Sequence, residues 1–236
     1  MIENSPTLPR LIAIDGPAAS GKSILAQRLA ARLGYFYLDT GLMYRAVTNE
    51  ALEREISVND EAALTRLAES IEINVLPAAD DGTSFVVTVN GRDVSLQLHR
   101  PQVDRNVSLV ATYARVRSAM VAQQRRIAER GKLIMAGRDI GTVVLPDAEC
   151  KIFLTASVDA RARRRKADRL ARGQAVTLDN MRDEILLRDE MDSSRTVSPL
   201  RCAEDAFTLD NSDLTIEETV GRALEITYEC AKKLAV

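Results

Sequence analysis

Residues 10–23 read RLIAIDGPAASGKS, and this stretch decides the fold. Leu11, Ile12, Ala13 and Ile14 form a short apolar run that stops at Asp15. Gly16, Pro17, Ala18, Ala19, Ser20, Gly21, Lys22 and Ser23 then satisfy the phosphate-loop pattern GxxxxGK[ST]. The chemistry requires these types in this order. Glycines let successive backbone N–H groups turn inward on an anion, Lys22 adds a point charge, and Ser23 offers a hydroxyl to Mg²⁺. From Ile24 to Ala30 the apolar residues recur at helical spacing, so a helix N-terminus also faces the phosphate. A buried strand, a glycine-rich turn and an amphipathic helix together predict a nucleoside triphosphate site.

Composition narrows the class. The chain has 236 residues, enough for one large domain or a core with a modest insert. Its 34 acidic and 32 basic residues leave a formal charge of −2, which argues against wholesale binding to nucleic acid or membrane. Cys150, Cys202 and Cys230 fit neither a disulfide framework nor a CxxC metal site, and suggest a reducing cytoplasm. No apolar run reaches membrane-spanning length, and residues 1–10 lack a signal-peptide core. His99 is the single histidine, so neither a zinc site nor a Ser–His pair is available, and it reads as a surface residue.

Outward from the loop, strands and helices alternate. Tyr35 to Leu38 is β-prone after a capping Gly34, and a helix follows from Leu42 to about Glu53 with Thr40 as N-cap. Another helix starts at Asn59-Asp60 and runs to about Ser70. Residues 72–100 then change texture: Ile71 to Val75 alternates, 78–82 is a turn, Phe85 to Val89 is β-branched, and Asn90-Gly91 is a hairpin signal with Val94 to Leu96 as return strand. Continuous helical periodicity is expected from Pro101 to Arg130. Leu133 to Ala136 and Lys151 to Thr155 are further strands, followed by a very basic helix over Ala160 to Arg172 and a charged one from about Leu178 to Met191. A last strand ends at Asp210, and a terminal helix opens on a Thr215-to-Glu218 capping box. This alternation means a parallel sheet wrapped by helices, with ligands beyond the carboxyl ends of the strands. Gly16 onward, Asp39-Thr40-Gly41, Arg138-Asp139 and Asp210-Asn211 all follow strands and should rim one cleft.

Arginine is concentrated near those positions. Arg188, Asp192 and Arg195 are spaced by four and three, one face if the helix continues, and the basic helix holds seven cations against Asp168 alone. Taken singly, such residues read as solvated faces or ion-pair partners, and the basic run as a nucleic-acid patch. Taken together they suit two sets of phosphates, because planar guanidiniums bind phosphate oxygens bidentately and stay charged when buried. Phosphoryl transfer mainly needs positioning and charge neutralisation. A phosphate monoester acceptor, with its second pKa near about 6, needs counter-charge rather than a base. Many arginines and no histidine base therefore favour a kinase acting on a nucleotide. A GTP switch would need an NKxD-type motif, which the chain lacks.

GPAASGKS, LDTGLMYRA, VRSAMVAQQR, GRDIGTVVLPDA, RARRRKADRLARG, LRDEMDSSRTVSPL and FTLDNSDLTIEE occur in that order. In these motifs the chain resembles the bacterial cytidylate kinases, the (d)CMP kinases of the nucleoside monophosphate kinase group, nearly end to end. The resemblance implies an α/β phosphate-loop kinase fold: a parallel five-stranded sheet wrapped by helices, a small antiparallel β insert and a helical lid. The core would comprise residues 8–58, 101–157 and 197–236, the monophosphate-binding insert about 59–100 and the lid about 158–196. It implies ATP and CMP or dCMP as substrates, Mg²⁺ as cofactor held partly by Ser23, and a monomer without nucleic-acid or membrane partners. Gly16 to Ile24 with Arg161 and Arg165 would serve ATP. Thr40, Arg45, Ser108, Arg117, Arg138, Asp139, Arg188, Asp192 and Arg195 would contact the monophosphate nucleotide: Ser108, Arg117 and Asp139 at cytosine, Arg45, Arg138 and Arg188 at its phosphate, Asp192 and Arg195 on the ribose side. Lys22, Arg138, Arg188 and Arg161 would carry the transfer. Asp139 has a second reading as a carboxylate holding Mg²⁺ through water, and Asp15 reads as a loop brace or a catalytic group. Ile24 stands where many relatives have Thr, which predicts weaker nucleotide affinity. The alternative is a phosphate-loop kinase for another acceptor such as UMP, AMP or shikimate.

Overall fold

The computed structural model describes residues 7–77, 85–171 and 173–234. The turn expected at 78–82 and Arg172 therefore lie outside the described residues. In chain order the elements are β1 (Leu11–Asp15), α1 (Lys22–Leu33), β2 (Phe36–Asp39), α2 (Thr40–Glu53), α3 (Glu61–Ser70), β3 (Ile73–Pro77), β4 (Phe85–Val89) and β5 (Arg92–Asp93). They continue with α4 (Pro101–Val110), α5 (Ala114–Ala128), β6 (Leu133–Gly137), β7 (Cys150–Thr155), α6 (Val158–Ala171), α7 (Leu178–Ser193), β8 (Phe207–Asp210) and α8 (Ile216–Leu234). They fall into two compact units, one of Met1–Tyr37 with Gly131–Val236, the other Leu38–Arg130.

The larger unit is built on a five-stranded parallel sheet in the order β2-β6-β1-β7-β8. Register is set by Asp15 opposite Gly137, Asp15 opposite Phe153, and Thr155 opposite Asp210. The carboxyl ends of β1, β6, β7 and β8 thus share one edge, where the chain leaves as loops. Helices cover the sheet, so β1 and β6 are apolar on both faces, with Ile12, Ile14 and Ile134 fully buried. Gly34, at φ +68°, closes α1 by donating to Ala30 O, as its type predicts. Thr215 and Glu218 form the expected reciprocal capping box ahead of α8.

The smaller unit pairs an antiparallel sheet, β3-β4-β5, with α2 to α5. Three expectations need correction here. The N-cap of α2 is Asp39, whose carboxylate accepts from Gly41 N at 2.9 Å, and Thr40 is the first helical residue. The helix expected without interruption from Pro101 to Arg130 breaks at residues 111–113. Thr112 Oγ1 bonds back to Leu109 O at 2.6 Å and Arg117 takes Ala111 O at 3.1 Å, so side chains capture carbonyls that would otherwise extend the ladder. The return strand is only Arg92–Asp93. The Asp93 carboxylate accepts from both Ser95 N (2.8 Å) and Ser95 Oγ (2.6 Å), which turns Ser95–His99 into a 3₁₀ turn.

The cysteines also differ from expectation. Cys150 on β7 and Cys230 on α8 form a disulfide with Cα atoms 5.6 Å apart, while Cys202 is free and exposed. The pairing arises because α8 packs on β7, a contact that spacing along the chain does not reveal. Among the described residues no helix is long and apolar enough to cross a membrane.

Candidate active site at the carboxyl edge of the parallel sheet

The phosphate loop leaves β1 through Gly16, whose φ of +151° and tight seat against β7 exclude any side chain: a Cβ there would lie 2.0 Å from Leu154 O. Gly21, at φ +93°, leads into α1, and no side chain caps that helix N-terminus. Lys22 is buried and curls back over the loop, donating to Pro17 O at 2.7 Å and Ser20 Oγ at 3.3 Å. Ser23 is exposed on the first turn of α1, and Ile24 points outward at 52% exposure. Ala18 and Ala19 are half-buried, and Ala19 holds φ +58°.

Asn211, expected at the cleft rim, and Arg164, which sequence reading did not assign to the site, brace this loop. Asn211, immediately after β8, donates its amide to Ser20 O at 3.0 Å. Arg164 donates to Asn211 Oδ1 (3.0 Å), Asn211 O (2.6 Å) and Ser20 O (3.3 Å). Burial lowers the Arg164 pKa, and Arg163 adds to the effect. The signal for Arg164 was its place three residues after Arg161, on the same helix face. Arg161 is buried, donates to Ala156 O at 2.9 Å and Ala18 O at 3.3 Å, and pairs with Asp189 at 2.7 Å. Arg165 pairs with Glu184 on α7 at 3.0 Å.

Beyond the β6 edge, three guanidiniums gather on one carboxylate. Asp192 Oδ2 lies 2.8 Å from Arg138 Nε and 3.6 Å from Arg188 Nε, and its Oδ1 lies 3.9 Å from Arg195. Burial alone would raise the Asp192 pKa, but the three arginines outweigh it and hold the carboxyl below its usual range. Guanidiniums gathered in this way suit a phosphate group. Arg195 lies past the end of α7, where Ser194 caps the helix.

Asp15 and Asp139 are both buried. Asp15 accepts from Ile140 N at 2.8 Å and Gly141 N at 2.7 Å. Burial pushes its carboxyl up to about 6, against those two bonds and Lys22, with Asp139 adding to the rise. Among the described residues no three His, Cys, Asp or Glu side chains converge as a metal site.

The remaining residues read from sequence sit in the smaller unit. Thr40 is buried on the first turn of α2. Arg45 donates to Leu98 O at 2.9 Å and pairs with Asp104 at 2.6 Å. Ser108 is half-buried on α4. Arg117 is 2% exposed on α5, its guanidinium 5.3 Å from the Tyr44 ring centroid. That geometry is a cation–π contact.

Comparison with known proteins gives a consistent set of likenesses. The family described as Cytidylate kinase matches residues 12–229. A cytidylate kinase from Exiguobacterium sibiricum is 49% identical over 221 residues, covering 94% of this chain and 98% of that protein. A cytidylate kinase from Geobacillus sp. strain WCH70 is 50% identical over 218 residues, covering 92% of this chain and 96% of that one. A solved gluconokinase from Sinorhizobium meliloti 1021 aligns with 97% of each chain at 16% identity and a TM-score of 0.48.

Proposed function

The chain belongs to the cytidylate kinase family, and from that premise we propose that it transfers the γ-phosphoryl group of ATP to CMP and dCMP. The observation that carries this reading is the gathering of Arg138, Arg188 and Arg195 on Asp192, in the same unit as a loop built for a triphosphate.

In the proposed reaction an oxygen of the CMP phosphate attacks the γ-phosphorus of ATP, the bond to the β,γ-bridging oxygen breaks, and ADP leaves. The acceptor is already ionised near neutral pH, so no base is required. The protein instead brings two anions into line and neutralises them. Gly16 to Ser23 receive the ATP phosphates on backbone N–H groups, and Lys22 swings from Pro17 O and Ser20 Oγ onto phosphate oxygens. Arg161 and Arg165 meet the same phosphates from α6. Arg138, Arg188 and Arg45 hold the CMP phosphate, and Asp192 and Arg195 the ribose side. Ser108 and Arg117 address cytosine, with Asp139 accepting from its exocyclic amine, a group that uracil replaces with an acceptor. The part at about residues 59–100 serves the monophosphate, and about 158–196 acts as a lid.

The donor chemistry suits Mg²⁺. The exposed Ser23 hydroxyl is a hard oxygen donor, and the ion's other ligands would be phosphate oxygens and water; in the rival reading of Asp139 its carboxylate would hold the ion through one of those waters. Mg²⁺ there would neutralise charge on the transferring phosphates. The test is an acceptor panel with ATP, reading ADP release with CMP, dCMP, UMP, AMP and shikimate. Cytidine monophosphates should be preferred, and preference for any other acceptor overturns the reading. Lys22→Ala should abolish transfer, and near-normal turnover would remove the phosphate loop from the mechanism. For Asp139→Ala, lost CMP-over-UMP selectivity supports base reading, whereas altered Mg²⁺ dependence alone assigns it to the metal.

A further inference from the structure

Asp15 ends the strand that feeds the phosphate loop, and opposite it in the sheet is Gly137, the last residue of β6. After Gly137 the chain passes through Arg138 and Asp139 and winds into a single wide turn, Ile140–Val144. A helical turn leaves its first N–H groups without partners, and an aspartate at the N-cap ordinarily accepts from them. Asp139 occupies the N-cap, with φ −142° and ψ 27°, and makes no such side-chain bond. The acceptor comes from the neighbouring strand instead. Asp15 Oδ1 takes Ile140 N–H at 2.8 Å and Oδ2 takes Gly141 N–H at 2.7 Å, one oxygen for each donor.

The fit depends on small clearances. A Cβ on Gly141 would lie at ordinary contact, 3.4 Å, from Asp15 Oδ2 but 3.1 Å from the Lys151 side chain, which would have to give by a few tenths of an ångström. Asp15, Ile140 and Gly141 are all buried, so water does not replace a lost acceptor there. The far end of the turn is anchored on Asp139 itself, whose carbonyl accepts from Val143 N at 2.9 Å and Val144 N at 3.1 Å. Asp139 is therefore held between Asp15-bound amides on one side and its own turn on the other, with Arg138 just before it.

We propose that Asp15 is a positioning residue: its carboxylate clamps the turn carrying Arg138 and Asp139 to the strand that launches the phosphate loop. One side chain thereby sets the spacing between the donor side and the acceptor side of the reaction. This rests on the kinase reading given above. A misplacement on the order of 1 Å costs about 100-fold in a positioned reaction, which is the scale on which such a clamp matters.

The test uses the full chain and compares wild type, Asp15→Asn and Gly141→Ala with ATP, CMP and UMP. In Asp15→Asn an amide N–H faces one of the two backbone donors, so one bond becomes a repulsion. We expect kcat/KM for CMP to fall at least tenfold, the KM for ATP to move less than threefold, and CMP-over-UMP preference to narrow. Amide hydrogen exchange at Ile140 and Gly141 should quicken at least tenfold. Gly141→Ala, which keeps the carboxylate but presses the turn against the Lys151 side chain, should shift the same quantities in the same direction by less, and serves if the first variant fails to fold. A folded Asp15→Asn protein with wild-type kcat and KM, or one losing ATP and CMP affinity equally, overturns the clamp. Failure of wild type to phosphorylate CMP would instead overturn the function on which it rests.

Discussion

Replacing Gly16 with alanine tests how closely the phosphate loop is bound to its sheet. A Cβ at Gly16 would lie 2.0 Å from Leu154 O, whereas a carbon–oxygen contact settles near about 3.3 Å, so the loop and β7 must part by about 1.3 Å. The opposing atom is backbone in a strand hydrogen-bonded on both sides, and it cannot rotate away. Overpacking of this kind costs about 1–3 kcal/mol, and a non-glycine residue at φ +151° adds a similar strain. The expected loss of stability is therefore about 2–6 kcal/mol, read by urea denaturation. A loop displaced by about 1 Å should also lower turnover about 100-fold, read as ADP release with ATP and CMP. Gly34→Ala is the control. Gly34 also has positive φ, at +68°, but a Cβ there meets nothing within 4 Å, so only about 1 kcal/mol and no activity should be lost. If Gly16→Ala keeps turnover within threefold of wild type, the argument from the Leu154 contact is wrong.

Asp192→Asn should cost about 3 kcal/mol in chemical denaturation, because three guanidiniums lose their buried counter-charge; a change below about 0.5 kcal/mol would show that the cluster does not depend on it. Asp15 predicts a pH dependence. Its carboxyl titrates near 3.8 unfolded and about 6 folded, so between those values the native state binds the extra proton and stability falls as pH rises. Relative to Asp15→Asn, wild type should lose up to about 3 kcal/mol between pH 4 and 7, and parallel urea curves would refute the shift. The disulfide closes 80 residues, so reduction should lower stability by about 4–5 kcal/mol on the loop-entropy estimate. Alkylation of unfolded protein should label one cysteine before reduction and three after.

The central strands were legible because a parallel strand covered on both faces leaves an unbroken apolar run, as at Leu11 to Ile14 and Leu133 to Ala136. The phosphate loop and the Thr215 cap were legible because each is a local rule with fixed spacing. What escaped was non-local or competitive. Nothing in the periodicity at 101–130 marks the break near Thr112, since the side chains that capture Leu109 O and Ala111 O are themselves compatible with helix. Asp15 reaches an amide 125 residues away, and Arg164 a carbonyl 144 away, and such contacts leave no periodic trace. Arg188, Asp192 and Arg195 were placed on one face by their spacing, but the 54-residue reach of Arg138 to the same carboxylate left no trace in the sequence.

The strongly basic helix α6 does not stand bare. Arg161 is paired with Asp189, Arg165 and Arg169 with Glu184, and Asp159 with Arg182, all across the α6–α7 contact. These two helices therefore behave as an ion exchanger already loaded with its own carboxylates. A polyphosphate recruiting Arg161 or Arg165 has to displace an attached carboxylate rather than a cloud of dissolved anions. Few small ions are then liberated on binding, and ATP affinity should vary less steeply with salt than a tally of the helix's arginines would suggest.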